Sequence, residues 1–287
     1  NPVSIWINGR IRKSAERVID LTDRGFLLGD GLFETILVRQ GVPVFLSAHL
    51  DRLTDAASTL GLPVPFDEEA LDRAIRTLAA ELAGETLSAR VTLSRGTGPR
   101  GVLPPAPEMA DPVTVVTVGP GAPARRQPVS FIISSVRRNE GSPAASMKTL
   151  SYMDNILARQ EAAAAGADEA VMLNNQGYVT CASAANLFLV VDDEYLVTPN
   201  ADCGILPGIV RNKVIGLARA GGIPVEFGFV QDDDLRAYPV FFTNSLIGLT
   251  PARLLEAAPG DPGELFLTLR NAYTRLVAAD VRQRGRD

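Results

Sequence analysis

Histidine is almost missing from this 287-residue chain, since His49 is the only one. A metal centre built on several imidazoles is thereby excluded, and any Ser-His-Asp triad would have to use that single ring. Cysteine is nearly as scarce. Cys181 and Cys203 cannot build a disulfide framework for a chain of this length, which favours a reducing compartment and a cytoplasmic protein. No apolar run approaches the roughly 20 residues that a membrane span needs, and the N-terminus has no signal-peptide pattern, so no membrane partner is expected. Positive charge is not massed either. The net charge is −5 with arginines scattered along the chain, which argues against nucleic acid as a partner. With so few imidazoles, a lysine is the natural carrier of protons.

What is present is the composition of a globular protein: 46% hydrophobic and 21% charged residues, enough for a sizeable core in two domains or one large one. The segment Ser4-Ile-Trp-Ile-Asn-Gly9 reads as a strand entering a hairpin, and Phe33–Val38 with Val42–Phe45 forms another around Gln40-Gly41. A helix from Ser47 carries Leu50, Leu53, Ala57 and Leu60 at helical spacing and stops at Gly61; Asp67–Leu82 repeats the pattern with Leu71, Ile75, Leu78 and Leu82. Strand composition returns at Ser88–Ser94 and Val113–Val118. The stretch 119–128, punctuated by Pro and Gly, is the best linker in the chain. Beyond it, strands are expected at Val129–Ser134, Glu169–Leu173, Leu187–Val191, Tyr195–Thr198 and Phe241–Ser245. Helices are expected from Ser151, from Gly208 to Ala220, and from Pro262 to Arg282. In the first of these, Ser151-Tyr-Met-Asp154 offers a capping pattern, and Met153, Leu157 and Ala164 a buried stripe. Strands and helices mixed on both sides of the linker give two α+β domains, 1–118 and 129–287.

Lys148, followed by Thr149-Leu-Ser-Tyr152-Met-Asp-Asn155, stands just before that helix. About thirty residues on, Val179-Thr-Cys-Ala-Ser-Ala-Ala-Asn186 reads as a small-residue turn able to face it across a pocket. A desolvated lysine on a rigid scaffold can form a Schiff base with an aldehyde. Taken alone, Lys148 reads more readily as a solvated lysine at a helix entrance.

Five segments together carry a resemblance. They are Asp23-Arg-Gly-Phe-Leu-Leu-Gly-Asp-Gly-Leu-Phe33-Glu34-Thr, His49-Leu-Asp-Arg52-Leu, Lys148–Asn155, Gly204-Ile-Leu-Pro-Gly208-Ile-Val-Arg211, and Thr243-Asn-Ser245-Leu-Ile-Gly-Leu-Thr-Pro251. In this order and spacing the chain resembles the class IV, or fold type IV, pyridoxal-phosphate enzymes, a group that includes branched-chain and D-amino-acid aminotransferases and aminodeoxychorismate lyases. The resemblance implies a mixed α+β fold of two domains, the second carrying the Schiff-base lysine, with pyridoxal 5'-phosphate at the domain interface and a homodimer as the working form.

The resemblance also assigns roles. Lys148 would hold the cofactor aldehyde and then move the proton of the substrate Cα, and Tyr152 would hydrogen-bond the cofactor phenolate. Arg52 would pair with the phosphate, which guanidinium geometry favours, unless it is a helix arginine bridged to Asp55. The helix start Gly208-Ile209-Val210 would offer backbone N–H groups to the same anion, and Ser245 a hydroxyl. Asn186 falls with these cofactor-binding positions, and Phe33 and Leu246 with the substrate pocket. Arg100, in Ser94-Arg-Gly-Thr-Gly-Pro-Arg100-Gly101, resembles the position from which D-amino-acid aminotransferases hold the substrate carboxylate, although Val102 stands where those enzymes carry a histidine. His49 packs or caps locally. No metal is implied.

Cys181 stands where the family has a glutamate that keeps the pyridine nitrogen protonated. A thiol, with a reference pKa near ~8.5, is a weak donor and supplies no fixed negative charge. The leading reading is an aminotransferase acting on a small carboxylated amino acid or amine with a keto-acid acceptor. The alternatives are an aminodeoxychorismate lyase, eliminating pyruvate to give 4-aminobenzoate, and a homologue that binds the cofactor with impaired catalysis.

Overall fold

The computed structural model describes residues 4–13, 19–122, 128–257 and 262–286. Its contacts divide the chain into two compact units: Asn1–Ala122 with Lys148–Ser151 and Val277–Asp287, and Pro123–Met147 with Tyr152–Leu276. Of the expected linker, residues 123–127 lie outside the described residues.

In the first unit, β1 (Ser4–Ile7) and β2 (Arg10–Lys13) form a hairpin whose turn residues, Asn8 at φ 43° and Gly9 at φ 86°, both take the positive φ that a type I′ turn requires. A short helix α1 (Arg24–Leu28) leads into β3 (Gly31–Arg39), which turns through Gln40 and Gly41 into β4 (Val42–Pro43). Helices α2 (Leu46–Thr59) and α3 (Glu68–Ala79) follow, then β5 (Thr86–Ser94) and β6 (Val113–Pro120). The sheet runs β2-β1-β6-β5-β3-β4 with antiparallel neighbours. Leu32, Ile36 and Val38 of β3 alternate onto one face and are buried, as are Leu50 and Leu53 of α2 and Leu71, Ile75 and Leu78 of α3. The α3 helix ends before Leu82, which the periodicity had included.

Lys148–Ser151 joins this unit as a strand-like return. Phe33 N–H donates to the Lys148 carbonyl and Leu150 N–H to the Gly31 carbonyl, each at 2.9 Å, with a bridge between Leu32 and Thr149. The amine is therefore carried by backbone that is hydrogen-bonded to β3.

The second unit comprises β7 (Val129–Arg138), α4 (Met153–Ala164), β8 (Glu169–Asn174), β9 (Val179–Ala182), β10 (Asn186–Val191), β11 (Tyr195–Pro199), α5 (Ile209–Ala220), β12 (Val225–Gly228), α6 (Asp234–Ala237), β13 (Val240–Asn244), β14 (Gly248–Leu254) and α7 (Gly263–Arg284). The last turns of α7, from Val277, belong to the first unit. The sheet order is β12-β11-β10-β13-β14-β7-β8-β9, mixed in direction. Phe131, Val171, Leu187 and Phe242 form one buried cluster. Residues of opposite parity build a second layer, in which Phe188 stacks on Phe241 at 5.0 Å and Phe241 meets Phe266 of α7 at 5.2 Å. Sheets buried on both faces lose the polar alternation that makes a strand readable.

Three local expectations are corrected. Val179–Ala182 is strand β9 and not a turn. The α4 helix begins at Met153 with no side-chain cap, so Ser151 does not cap it. Its buried residues are Ala158 and Ala162, whereas Met153 and Leu157 are exposed, because alanines allow the closer approach of helix to sheet.

Gly31 has no room for a side chain. A Cβ there would meet the Leu93 carbonyl oxygen at 2.4 Å and Leu150 Cδ1 at 2.7 Å. Gly31→Ala is expected to lower stability by ~1–3 kcal/mol, as overpacking does, read as a drop in the urea midpoint at unchanged slope. A midpoint equal to wild type would mean that the 148–150 strand is free to shift.

Candidate functional site

In the first unit the pleat of β3 sends Phe33 and Glu34 to opposite faces. On the Phe33 face, Lys148 Nζ lies 4.1 Å from the centroid of the buried Phe33 ring, and Arg90 Cζ lies 3.8 Å from it. Lys148 is half-buried. An aromatic face attracts a cation and gives an amine a dry, rigid wall.

On the other face, the Glu34 carboxylate is shared. It accepts from Arg52 Nε at 2.8 Å and Arg52 Nη2 at 2.6 Å, and stands 2.7 Å from His49 Nδ1. Arg52 is thus held in a two-pronged pair with Glu34, and the expected alternative partner, Asp55, is not its carboxylate in this pair. Burial by itself would raise the Glu34 carboxyl, but the hydrogen bonds from His49 and Arg52, with their charges, hold it below its ordinary value. His49 is buried and serves this pair. Arg100 is exposed on the loop after β5.

In the second unit, asparagines bring the remaining segments together. Asn155 of α4 donates to the Ser183 carbonyl at 2.7 Å, and Asn244 donates to the Ala184 carbonyl at 3.0 Å. Asn244 Oδ1 also accepts the N–H groups of Leu246 and Ile247, each at 2.9 Å, which fixes the turn that carries Ser245. Asn186 donates to the Leu206 carbonyl at 2.9 Å and packs against Gly208, where an added Cβ would lie 1.9 Å from Asn186 Oδ1. Gly208 precedes α5 as its N-cap residue and makes no side-chain cap bond, so the N–H groups of the first turn, Ile209 and Val210 among them, have no capping side chain from it. Arg211, in the same turn, is buried; burial lowers its pKa to about 10, and its guanidinium donates to Thr198 Oγ1 and the Pro199 carbonyl. Tyr152 is half-buried at the start of α4.

Cys181 is buried with Ala158, Ala162, Ala170 and Met172, an apolar cluster. The Thr180 hydroxyl is 3.8 Å from the sulfur but donates to the Met172 carbonyl at 2.8 Å.

The parts played by four residues in these arrangements escape a reading of the sequence: Glu34, Arg90, Asn155 and Asn244. For Arg90 a signal exists. Leu87, Ala89, Val91 and Leu93 alternate inward along β5, so Ser88, Arg90 and Thr92 share the opposite face. The Glu34–Arg52 pairing is tertiary and leaves no local trace.

Glu34→Gln is expected to cost ~3 kcal/mol, because it removes the buried carboxylate shared by His49, which is buried, and Arg52, which is partly so. Wild-type stability should carry the matching acid limb. The Glu34 contribution is complete above the ordinary carboxylate pKa of about 4.3 and is lost as pH falls through the lowered folded value. Urea midpoints measured from pH 7 to pH 3 should therefore fall for wild type and fall less for Glu34→Gln. Parallel curves would show that the pairing adds nothing.

The sequence pattern described as amino-transferase class IV matches residues 31–255. Relatives include the D-alanine aminotransferase of Listeria innocua, 28% identical over 96% of each chain. Two solved structures share the fold. A T.th. branched-chain amino acid aminotransferase, complexed with N-(5'-phosphopyridoxyl)-L-glutamate, has a TM-score of 0.85 at 27% identity, over 97% of this chain and 95% of that one. The 4-amino-4-deoxychorismate lyase of Pseudomonas aeruginosa has a TM-score of 0.81 at 31% identity, over 93% of this chain and 97% of that one. With the match spanning most of its length, the chain belongs to the class IV aminotransferase family.

Proposed function

We propose that the chain is a pyridoxal-phosphate-dependent aminotransferase acting on a small carboxylated amino acid or amine. The observation that carries this reading is the Lys148 amine, hydrogen-bonded through its own backbone to β3 and resting on the Phe33 ring. The residues present fit the cofactor by their chemistry. A primary amine suits an aldehyde. A guanidinium and a helix start with no side-chain cap, entered through a glycine that admits no side chain, suit a phosphate dianion.

Bound pyridoxal phosphate supplies the aldehyde and an electron-withdrawing ring. Lys148 would hold the aldehyde and would take up the proton from the substrate Cα. By the family resemblance, Arg52, oriented by Glu34, would bind the phosphate, as would the N–H groups of Ile209 and Val210 and the Ser245 hydroxyl. Asn186 keeps the Gly208 turn in place. Tyr152 would donate to the phenolate oxygen. By the same resemblance, Phe33 and Leu246 would belong to the substrate side, and Arg100 would receive the substrate carboxylate. Cys181, if it stands at the pyridine nitrogen as the family position implies, would offer a weak donor and no fixed charge, so protonation of that nitrogen would be less favoured than with a carboxylate.

The partners are an amino donor and a keto-acid acceptor, with a second copy of the chain. The exposed Met153, Ile156 and Leu157 of α4 support the homodimer, since such a patch on a helix is a surface suited to being covered. The second reading, aminodeoxychorismate lyase, is favoured by the 31% identity to a solved lyase.

Absorbance of the cofactor-loaded protein tests the choice. A panel of D- and L-amino donors, added without acceptor, should convert the lysine-bound cofactor to its amine form and identify the donor. Lys148→Ala should lower the rate by at least ~10³-fold, as loss of covalent and acid–base catalysis does. A lysine-bound cofactor that no donor converts, with pyruvate released from aminodeoxychorismate, would replace the transaminase by the lyase. If no lysine-bound form arises, neither activity stands.

A further inference from the structure

The loop that carries Arg100 is held by a buried ion cluster within the first unit. Arg24, only 3% exposed, points into it. Its Nε donates to Asp30 Oδ2 at 2.8 Å, its Nη1 to the Gly101 carbonyl at 2.9 Å and its Nη2 to the Val102 carbonyl at 2.8 Å. Nη1 also lies 3.5 Å from the Pro99 carbonyl. The Arg24 backbone N–H donates to the Gly96 carbonyl at 2.8 Å, and Asp23 bridges Thr97. The loop is thus fastened on both sides of its apex by residues 23 and 24, and Arg100 stands at that apex. Glycine is required by closeness: a Cβ at Gly98 would lie 2.7 Å from Arg24 Cδ, and one at Gly96 1.7 Å from the Asp111 carbonyl oxygen.

Asp30 serves a second arginine. Arg95, equally buried, donates through Nε to the same Oδ2 at 2.8 Å and through its two other nitrogens to the carbonyls of Gly61 and Leu60, at the end of α2. Burial would raise the Asp30 carboxyl, but hydrogen bonds and charge from Arg95 and Arg24 outweigh it and hold the group below its usual range. One ionised carboxylate therefore orients two planar guanidinium groups. One grips the Arg100 loop and the other the end of the helix that carries Arg52. Neither arginine meets the solvent that would otherwise satisfy it, so each is spent on main-chain carbonyls. A cation in this position has a geometric task, because a surface ion pair would leave its donors in water.

We propose that Arg24 is the positioning residue of the substrate-carboxylate loop: held by Asp30, its guanidinium fixes the 99–102 backbone and thereby the point from which Arg100 meets a substrate carboxylate. The proposal deepens the aminotransferase reading and rests on it for the role of Arg100; the anchoring of the loop does not depend on that reading. Arg24 acts through the loop and touches no reacting atom.

Arg100 is itself a tryptic site, which gives a readout independent of catalysis. In the cofactor-loaded protein, Arg24→Gln is expected to speed cleavage after Arg100 by roughly tenfold or more, since two hydrogen bonds from a charged donor are lost. Arg24→Lys, which reaches fewer carbonyls, should fall between. Gly98→Ala displaces the loop from Arg24 without leaving a buried charge unpaired, and should act in the same direction if Arg24→Gln fails to fold. In the donor half-reaction, the same variants should raise KM for a carboxylated donor about tenfold with kcat nearly unchanged, and should leave an amine lacking a carboxylate unaffected. Cleavage at the wild-type rate in Arg24→Gln and Gly98→Ala would overturn the anchor. Faster cleavage with KM unmoved would overturn its link to the substrate. Wild-type protein that converts no donor, yet shows the accelerated cleavage in its variants, would sink the aminotransferase reading and leave the anchor standing.

Discussion

The return of the chain at residues 148–150 to the edge of β3 is the constraint on which the candidate chemistry depends. Two main-chain hydrogen bonds to Gly31 and Phe33 set the register of that return, and the register decides which way Lys148 points. A slip by one residue would send the amine to the opposite face, because side chains alternate along an extended strand. Gly31 makes the register unique: with backbone of β5 on one side and Leu150 on the other, only a residue without a side chain fits. The aromatic ring at Phe33 then receives the amine, and the adjacent Glu34 looks the other way toward Arg52. A single strand thus organises an amine on one face and a carboxylate-held guanidinium on the other.

The second unit solves a comparable problem with neutral groups. Its candidate residues sit on short loops after strands, where backbone has few partners of its own. Side-chain amides supply them, each with a donor and an acceptor on a rigid plane. Asn244 uses both ends, gripping one loop and shaping its own, and Asn186 braces the turn into α5. The result is a set of loops that hold their geometry without charge, next to a helix start whose N–H groups are left uncapped.

Much of this architecture was legible in the sequence, and the failures have causes. Asn8-Gly9 and Gln40-Gly41 announce their hairpins because both residues of each turn adopt positive φ. The helices α2, α3 and α5 declare themselves through leucine and isoleucine spacing and glycine stops. Strand β14 is hidden by Pro251, which in most sheet interiors would break the ladder; here it faces Phe241 just before pairing with β7 begins at Ala252. Strand β12 is short and lies at an edge, and β9 is four residues of modest size. On α4 the largest apolar residues misled, since the helix buries alanines and leaves Met153, Ile156 and Leu157 outside. For the site, a motif can point to Lys148 or Arg52, but the carboxylates that orient cations are separated in sequence from what they hold. Asp30 lies 65 residues from Arg95, and no local pattern records such a meeting.

The surroundings of Cys181 carry a consequence for how this chain can change. Its cluster is made of three alanines and Met172, and an alanine can shrink only to glycine. A longer residue at position 181 would have to displace Met172 or the partly buried Ile132 and Val136 that pack against the cluster. The alternative is for α4 to ride further from the strands beneath it, which would open the gap that its alanines now close. The size of residue 181 and the spacing between helix and sheet are therefore coupled through packing, and a substitution at either is felt by the other.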